Sequence, residues 1–201
     1  MKRLPSTLPN MILSLVLITA VAGALLGLMY SITKDPIAAQ AKEAQVAAIR
    51  QVAPPFDNDP EAMADTVVTK HQVTCVVYPA LKDGKLLGAA IKATTNEGFN
   101  GEVTIMVGFD ADGTVRDYRV LHQAETPGLG AKMADWFRDP KGDRSIIGKN
   151  PATVRFYVTK DTGKQGQVDG ITAATISSRA FLRAVRDAYK TYKSYSENPQ
   201  P

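Results

Sequence analysis

A cluster of hydroxyl side chains at the predicted start of a helix is the feature of this sequence that points most directly to chemistry. In the segment VDGITAATISS, residues 168–178, an Asp-Gly pair is followed by Thr172, Thr175, Ser177 and Ser178. A helix needs only one hydroxyl for its N-cap, and either threonine has a plain structural interpretation as that cap. A helix N-terminus also presents unpaired N–H groups that hold phosphate. A threonine in this first turn is therefore also suited to carry a phosphate ester.

Three segments of the chain together resemble the FMN-binding domain family. DGITAATISS resembles that family's flavinylation motif, Asp-x-x-(Ser/Thr)-(Gly/Ala)-Ala-Thr, and departs from its commoner form at Ala173, where glycine is more frequent. HQAETPGLGAKM, residues 122–133, resembles the family's Glu-Thr-Pro-Gly-Leu-Gly loop. GFNGEVTIMVGFDADGTV resembles the strand pair just upstream of that loop. The resemblance covers the chain from about Leu86 to Phe181.

The resemblance implies a covalent cofactor at the helix start. In this family FMN is joined through its phosphate to the last threonine of the motif, which is Thr175 here, by a flavin transferase that uses FAD. Thr172, Ala174 and Asp169 are positions of the same motif. Asp169 is also suited to the turn before the helix, and the resemblance adds that the transferase reads this residue.

The Glu-Thr-Pro-Gly-Leu-Gly loop is predicted to contact the flavin. Its two glycines permit close approach of the backbone, its leucine suits a ring face, and its glutamate and threonine suit hydrogen bonds to polar flavin atoms. The lysine that follows either offsets the phosphate charge or is only exposed to solvent. The flavin-binding candidates of this loop are Glu125, Thr126, Gly128, Leu129, Gly130 and Lys132.

The other reactive residue types do not form a catalytic or metal-binding pattern. The chain has one cysteine, Cys75, and two histidines, His71 and His122. It cannot ligate an iron–sulfur cluster alone, and it has no structural zinc pattern. Cys75 is predicted to be a buried small hydrophobe, and His122 a surface or strand-end residue. We expect Thr175 to react once, during maturation, while the flavin performs the redox chemistry.

The charge balance argues against nucleic acid as a partner. The 201 residues include 24 basic and 20 acidic ones, for a formal net charge of +4. Lys2 and Arg3 supply half of that excess, so the rest of the chain is close to neutral. Nucleic-acid recognition requires a concentrated basic surface.

The first thirty residues predict a membrane anchor. No charged residue lies between Arg3 and Lys34, and Met11–Ile32 is almost wholly apolar. At helical rise this run spans roughly 33 Å, enough to cross the hydrocarbon core of a bilayer. The alternative is a cleaved signal peptide, with a cleavage site at Ala20–Ala22. Because Lys2 and Arg3 precede the run, we expect a cytoplasmic N-terminus and a periplasmic C-terminal domain in the inner membrane.

The next part of the chain predicts a neck and two hairpins. Asp35 and Pro36 suit the start of a neck helix, and the proline-rich stretch after it suits a connector. Two β-rich runs flank Asp83-Gly84, and two more flank Asp112-Gly113. Asp-Gly is a strong hairpin signal, so each pair of runs is predicted to form an antiparallel hairpin.

The last third predicts loops and a long terminal helix. Residues 126–139 include a predicted short helix, residues 152–160 a predicted strand, and about Ala174–Tyr195 a predicted helix. The expected fold class is therefore α+β, with one transmembrane helix, antiparallel hairpins and a C-terminal helix. The predicted divisions are a transmembrane anchor over residues 1–33, a neck helix and connector over 34–65, and an FMN-binding domain over 66–201.

The terminal helix has an apolar side and a basic side. The apolar side is formed by Phe181, Val185, Ala188, Tyr189 and Tyr192. The basic side is formed by Arg179, Arg183, Arg186, Lys190 and Lys193. It is either a solvated face or a docking face for an acidic partner or anionic lipid headgroups.

As a whole, the chain resembles the G subunits of Rnf complexes, which are ion-translocating ferredoxin:NAD oxidoreductases. The related C subunits of sodium-pumping NADH:quinone reductases share both motifs but are usually longer. The resemblance implies an electron-transfer subunit that does not turn over a substrate alone. Its implied partners are the other membrane and redox subunits and, during maturation, the flavin transferase. Two alternatives stay open: a stand-alone anchored flavoprotein of another electron chain, and an anchored scaffold module without cofactor.

Overall fold

The computed structural model describes Pro5 and residues 7–197, and this part of the chain contains a long helix, an antiparallel sheet and a C-terminal helix. The predicted α+β fold class is confirmed. Lys2 and Arg3, on which the predicted orientation depends, lie outside the described residues. The chain divides into two units, the first ending at Ala44 and the second beginning at Gln45.

The first element, α1, is a single helix over Leu8–Val52. The large hydrophobic side chains from Leu8 to Ile32 are all more than half exposed. A helix that is apolar all round belongs in hydrocarbon rather than in water, so α1 fits a single-pass membrane anchor. No separate neck helix begins at Asp35, because α1 continues through Pro36; a proline inside a helix removes one hydrogen bond without necessarily ending it. The domain boundaries after residues 33 and 65 stay a prediction.

The sheet contains five antiparallel strands in sequence order: β1 Asp65–Val68, β2 Thr74–Lys82, β3 Lys85–Gly98, β4 Gly101–Asp110 and β5 Val115–Gln123. Both predicted hairpins are confirmed, as β2–β3 and β4–β5. Asp83 and Gly84 have φ angles of 50° and 72°, the left-handed pair that a two-residue hairpin loop favours. β3 and β4 are joined by a tight turn at Phe99 and Asn100. The sequence pattern did not indicate β1, which lies at the edge of the sheet.

The C-terminal helix, α3, runs over Thr175–Glu197, which confirms the predicted terminal helix. The side predicted to be apolar is buried on the sheet, apart from Tyr189, which is partly buried. The Tyr192 ring stacks on Phe109 of β4 with ring centroids 5.5 Å apart. Burial of each such large side chain stabilises the folded state by about 1.5–3 kcal/mol. This packing fixes the start of α3 against the sheet.

The opposite face of the sheet is covered by the last turns of α1. Ile49 and Val52 are buried there against a group that includes Tyr78 and Met106. The helix approaches closely because β4 has Gly108 at the contact, where a Cβ would lie 1.9 Å from the carbonyl oxygen of Val52. These turns of α1 are therefore part of the folded domain.

Between β5 and α3 the chain forms loops with short helical turns. A 3₁₀ turn over Gly130–Lys132 leads directly into α2, Met133–Trp136, which confirms the predicted short helix. The indole N–H of Trp136 donates to the carbonyl oxygen of Asp169 at 2.8 Å. This bond joins α2 to the segment that precedes α3.

The strand predicted over residues 152–160 is wrong. The segment makes only an isolated parallel bridge between Val158 and Val168. The Thr159 N–H donates to the Val168 carbonyl oxygen at 2.9 Å, and the Val168 N–H donates to the Tyr157 carbonyl oxygen at 3.1 Å. Apolar β-type residues indicate burial without saying which partner supplies the backbone hydrogen bonds. Here that partner is the segment leading to α3 rather than the sheet.

Candidate functional site

Two buried serines in the first turn of α3 have structural roles. The Ser178 hydroxyl accepts the N–H of Ile171 at 2.9 Å and donates to the Ala174 carbonyl oxygen at 2.9 Å. The Ser177 hydroxyl donates to the Glu125 carboxylate at 2.7 Å. These bonds fold the motif segment against α3 and hold the Glu125 loop beside it. Two of the four hydroxyl groups are thus explained by the fold.

The two threonines have hydroxyls without such partners. Thr175 is the first residue of α3 and is half-buried, and Thr172 is exposed. Within residues 7–197 neither side chain makes a hydrogen bond, so neither acts as an N-cap. The N–H groups of residues 175–177 also lack acceptors in the described chain, as is normal for a first helical turn. Thr175 therefore offers a free hydroxyl at the positive end of the helix dipole.

Ala173 turns the chain into α3 with a left-handed backbone, at a φ of 60°. This conformation brings Cβ close to the backbone and costs about 1–2 kcal/mol for a residue other than glycine. Glycine adopts it without that cost. The geometry therefore suits glycine best at this motif position, and alanine is accommodated at that cost.

A cavity of about 320 Å³ opens beside Thr175 and is termed the apolar cavity. Three exposed hydrophobic side chains line it, those of Phe99, Leu129 and Ile176. Large hydrophobic groups gathered at one concave place indicate a binding site for an apolar group. The residues that line it are Phe99, Glu125, Thr126, Leu129, Gly130, Ala173, Ala174, Thr175, Ile176 and Ser177.

The apolar cavity brings together six of the ten residues predicted for the site. They are Glu125, Thr126, Leu129 and Gly130 from the loop, and Ala174 and Thr175 from the motif. Gly128 and Lys132 belong to the same loop but lie outside this lining. Gly128 serves the turn itself, with a φ of 76°.

Glu125 is a buried acid in the wall of the apolar cavity, 5% exposed. One carboxylate oxygen accepts the Phe99 N–H at 2.7 Å and the other accepts the Ser177 hydroxyl at 2.7 Å. Two glycines make room for this carboxylate, since a Cβ on Gly98 or Gly130 would lie 2.5 Å or 2.6 Å from its oxygens. The sequence suggested ligand contacts for Glu125 and Gly130; the contacts observed are within the protein and fix the β3–β4 turn at the cavity.

Phe99 and Ile176 are cavity residues that the sequence did not single out. Phe99 is 64% exposed in the β3–β4 turn, and Ile176 is 49% exposed in the first turn of α3. Large hydrophobic residues in a turn and at a helix start are a weak signal, because single exposed hydrophobics are common. Their shared location becomes visible only when the Glu125 contacts bring the turn, the loop and the helix together.

A second cavity, of about 240 Å³, lies beside Thr175 and is termed the polar cavity. It is lined by Trp136, Arg144, Val158, Thr159, Lys160, Asp169, Gly170, Ile171, Thr172 and Thr175. Among the described residues, Thr175 alone lines both cavities. The two remaining predicted residues, Thr172 and Asp169, are therefore placed in a different cavity from the predicted loop residues.

Asp169 holds the wall of the polar cavity together. Its carboxylate accepts the Asp143 N–H at 3.2 Å and the Thr159 hydroxyl at 3.3 Å. Its backbone N–H donates to the Asp143 carbonyl oxygen at 2.9 Å. These bonds join neighbouring loops just ahead of α3 and agree with a role for Asp169 in the turn before the helix.

Cys75 and His122 have the plain roles that the sequence suggested. Cys75 is fully buried in β2, and burial raises the pKa of its thiol to about 11. The thiol is therefore protonated at neutral pH and is not a nucleophile. His122 is exposed near the end of β5, away from both cavities.

The arginines on the basic side of α3 are occupied by contacts within the chain. The Arg179 Nε donates to Asp161 at 3.0 Å, and Arg183 pairs with Glu97. Arg186 donates to a backbone carbonyl oxygen. These three arginines therefore stabilise the fold, and the choice between a solvated face and a docking face stays open.

Known proteins match the chain in both of its parts. The FMN-binding domain family matches residues 98–190, and the family described as the RnfG N-terminal region matches residues 13–52. A protein of Aliivibrio fischeri, named as the G subunit of an ion-translocating oxidoreductase complex, is 34% identical, over 97% of this chain and 95% of its own length. Proteins of the same name from Yersinia pestis and Vibrio cholerae are 35% and 32% identical, over 88% and 92% of this chain and 86% and 90% of their own.

Proposed function

Because this chain belongs to the family of G subunits of ion-translocating oxidoreductase complexes, we propose that it relays electrons through FMN bound covalently to Thr175. Family membership makes it an electron-transport subunit with an FMN-binding domain. The proposal adds the phosphoester bond, ferredoxin and NAD as the electron donor and acceptor of the whole complex, and the orientation in the membrane.

The apolar cavity suits the ring system of a flavin. Ligand sites for flat, largely apolar groups are concave and lined mainly by hydrophobic side chains, and Phe99, Leu129 and Ile176 supply such a lining here. Thr175 lines the same cavity. A flavin attached to its hydroxyl therefore has an apolar wall directly beside the point of attachment.

FMN supplies the redox chemistry by accepting and donating electrons, and the protein supplies position and environment. Leu129 and Ile176 exclude water from the ring on the sides where they line the cavity. Thr126 brings a hydroxyl to the same wall, where it is suited to hydrogen-bond a polar flavin atom. Glu125 adds a fixed carboxylate, and Gly128 shapes the loop that carries these groups.

The Thr175 hydroxyl is the nucleophile of a single maturation step. A bond forms between its Oγ and the phosphorus of the FMN half of FAD, and the bond between the two phosphates breaks. AMP leaves with the bridging oxygen, and the hydroxyl proton passes to a base of the flavin transferase. The positive end of the α3 dipole, where this hydroxyl lies, stabilises a negatively charged phosphate. The finished bond keeps the cofactor on a carrier that works outside the cytoplasm.

The chain is anchored in the inner membrane by α1, with its N-terminus in the cytoplasm. Lys2 and Arg3 ahead of the apolar run support this orientation through the positive-inside rule. The flavin domain then lies on the periplasmic side. Its partners are the other membrane and redox subunits of the complex, as the names of the relatives imply for those proteins.

The observation that carries this proposal is a free Thr175 hydroxyl at the wall of an apolar cavity. Peptide mass spectrometry across Val168–Arg179, on protein from its native host, is the test. We expect the added mass of FMN less one water on Thr175, with flavin fluorescence from the denatured protein band. Thr175→Ala should abolish both signals, whereas Thr153→Ala, at an exposed threonine outside both cavities, should retain them. An unmodified Thr175 in cells that make the transferase would contradict the proposal.

A further inference from the structure

The polar cavity has more positive than negative charge in its lining. Arg144 and Lys160 are cationic, and Asp169 is anionic. Both oxygens of the Asp169 carboxylate already accept hydrogen bonds, from the Asp143 N–H and the Thr159 hydroxyl. Asp169 keeps its negative charge, with its oxygens held by neutral donors of the protein. Among the described residues, Arg144 pairs with Asp139 and Lys160 makes no ion pair.

Arg144 is held at the cavity wall rather than extended into solvent. Its guanidinium carbon lies 4.1 Å from the centroid of the Trp136 ring, and one of its nitrogens donates to Asp139 at 2.7 Å. Trp136 is itself fixed by its bond to the Asp169 carbonyl oxygen. A guanidinium has five N–H donors, so the ion pair with Asp139 leaves donors for another acceptor. A stacked arginine with donors to spare suits recognition of a phosphate.

We propose that the polar cavity binds the phosphate group that joins the flavin to Thr175. Arg144 and Lys160 supply the positive charge, and Thr172 supplies a hydroxyl donor. This inference rests on the proposed function and goes beyond it by assigning a separate cavity and three residues to the phosphate. The assignment follows from the position of Thr175, which lines both cavities.

The two cavities suit the two chemically different parts of FMN. A phosphodiester carries a negative charge, and placing a charge against apolar walls without partners is costly. In the polar cavity the same charge meets two cations and a hydroxyl against one carboxylate, that of Asp169, so the lining keeps a net positive charge, and Coulomb attraction there is stronger than in bulk water. The phosphate is therefore stabilised in the polar cavity, and the ring in the apolar one.

Phosphorus NMR of the flavinylated full-length chain tests this assignment. In detergent, the phosphodiester resonance of the native wild-type protein should be displaced from its position after denaturation. Arg144→Gln and Lys160→Gln should each reduce that displacement by about half, because one of two facing charges is lost. Lys164→Gln is the matched control, since Lys164 lies over the Tyr157 ring outside the polar cavity and should leave the displacement unchanged.

Two further measurements separate the possible outcomes. Arg144→Lys keeps the charge and should retain most of the displacement of the phosphodiester resonance. Intact-mass measurement should show one FMN on every chain that is compared. A wild-type chain without FMN mass would mean that the proposed function has failed. Two results, obtained with FMN on every chain, would overturn the phosphate assignment and leave the proposed function standing. One is a wild-type resonance without displacement. The other is an equal displacement in the wild type and in both glutamine variants.

Discussion

Ala173 carries a backbone conformation that glycine adopts without penalty, and its φ of 60° sets the entry to α3. We expect Ala173→Gly to raise the free energy of unfolding by about 0.5–1 kcal/mol. Relief of the left-handed strain outweighs the greater entropy of glycine in the unfolded chain. Chemical denaturation of the flavin-free protein measures the change.

The control for this prediction is a substitution of the same type in the middle of α3. Ala180→Gly should lower the free energy of unfolding by at least about 1 kcal/mol, because glycine is disfavoured inside a helix and the buried methyl group of Ala180 is lost. An equal loss of stability in both variants would show that the left-handed backbone at Ala173 carries no strain.

Glu125 places a buried negative charge in the wall of the cavity assigned to the flavin ring. Such a charge opposes the addition of electrons to the ring, so Glu125→Gln should raise the midpoint potential of the bound flavin. Spectroelectrochemical titration measures it. Ser177→Ala removes a hydrogen bond to the carboxylate but keeps its charge, and should shift the potential less. A lower potential in the Gln variant would argue against an electrostatic role.

Residue types and spacing singled out Thr175, the proposed attachment residue, but not the groups around it. Thr175 and Glu125 stand in continuous motifs, so a single sequence is enough to single them out. Phe99, Arg144 and Lys160 come from separate loops that meet only after folding. No local pattern marks them, because their proximity depends on contacts such as those of Glu125 and Trp136.

At the level of elements, turn residues predicted secondary structure more reliably than the other sequence signals. The Asp-Gly pairs specify a backbone that hairpin loops favour, and both hairpins are present. The strand expected over residues 152–160 failed because its apolar residues report burial, whereas its hydrogen bonds depend on a distant partner. Pro36 likewise suggested a helix start, although α1 passes through it.

Asp161 ties the loop after residues 152–160 to α3. Its hydrogen bond with Arg179 holds the pKa of the Asp161 carboxyl below its ordinary value of 3.8. The stabilisation is therefore present above that value and is lost as the pH falls through the lower native pKa. Asp161→Asn should lower the free energy of unfolding at neutral pH by about 0.2–1 kcal/mol, the range of partly exposed ion pairs.

Denaturation curves over a range of pH measure this effect. The difference between wild type and Asp161→Asn should shrink in acid and vanish once Asp161 is protonated in both the folded and the unfolded state. A difference that persists unchanged in acid would show that the contact acts through packing rather than through charge.

At the scale of the whole molecule, the folded unit includes the end of α1. Ile49 and Val52 cover Met106 on the sheet, so a chain starting at Gln45 should unfold at the same temperature as the full-length protein. For a chain starting at residue 65, the free energy of unfolding should fall by at least about 3 kcal/mol, because the burial of two aliphatic side chains is lost. Calorimetry of the three proteins measures this; equal melting temperatures would show that the α1 contact contributes nothing.

Membership of a complex gives a second prediction at this scale. Gentle detergent extraction from the native host should return the chain together with other redox subunits. We expect their cofactors in the absorption spectrum of the purified sample, in addition to the flavin. Recovery of a solitary flavoprotein would instead indicate that the chain serves another electron chain.

The position of the half-buried Thr175 has a consequence for biogenesis. Under the proposed function, Thr175 and the cavity for the flavin are assembled from the β3–β4 turn, the Glu125 loop and the start of α3, so we expect attachment of the flavin to follow the folding of these segments. With the proposed periplasmic orientation, we expect the chain to cross the bilayer without flavin, to fold on the far side and to receive its cofactor there from the transferase. The location of that transferase, rather than the timing of translation, then decides in which compartment the carrier becomes competent.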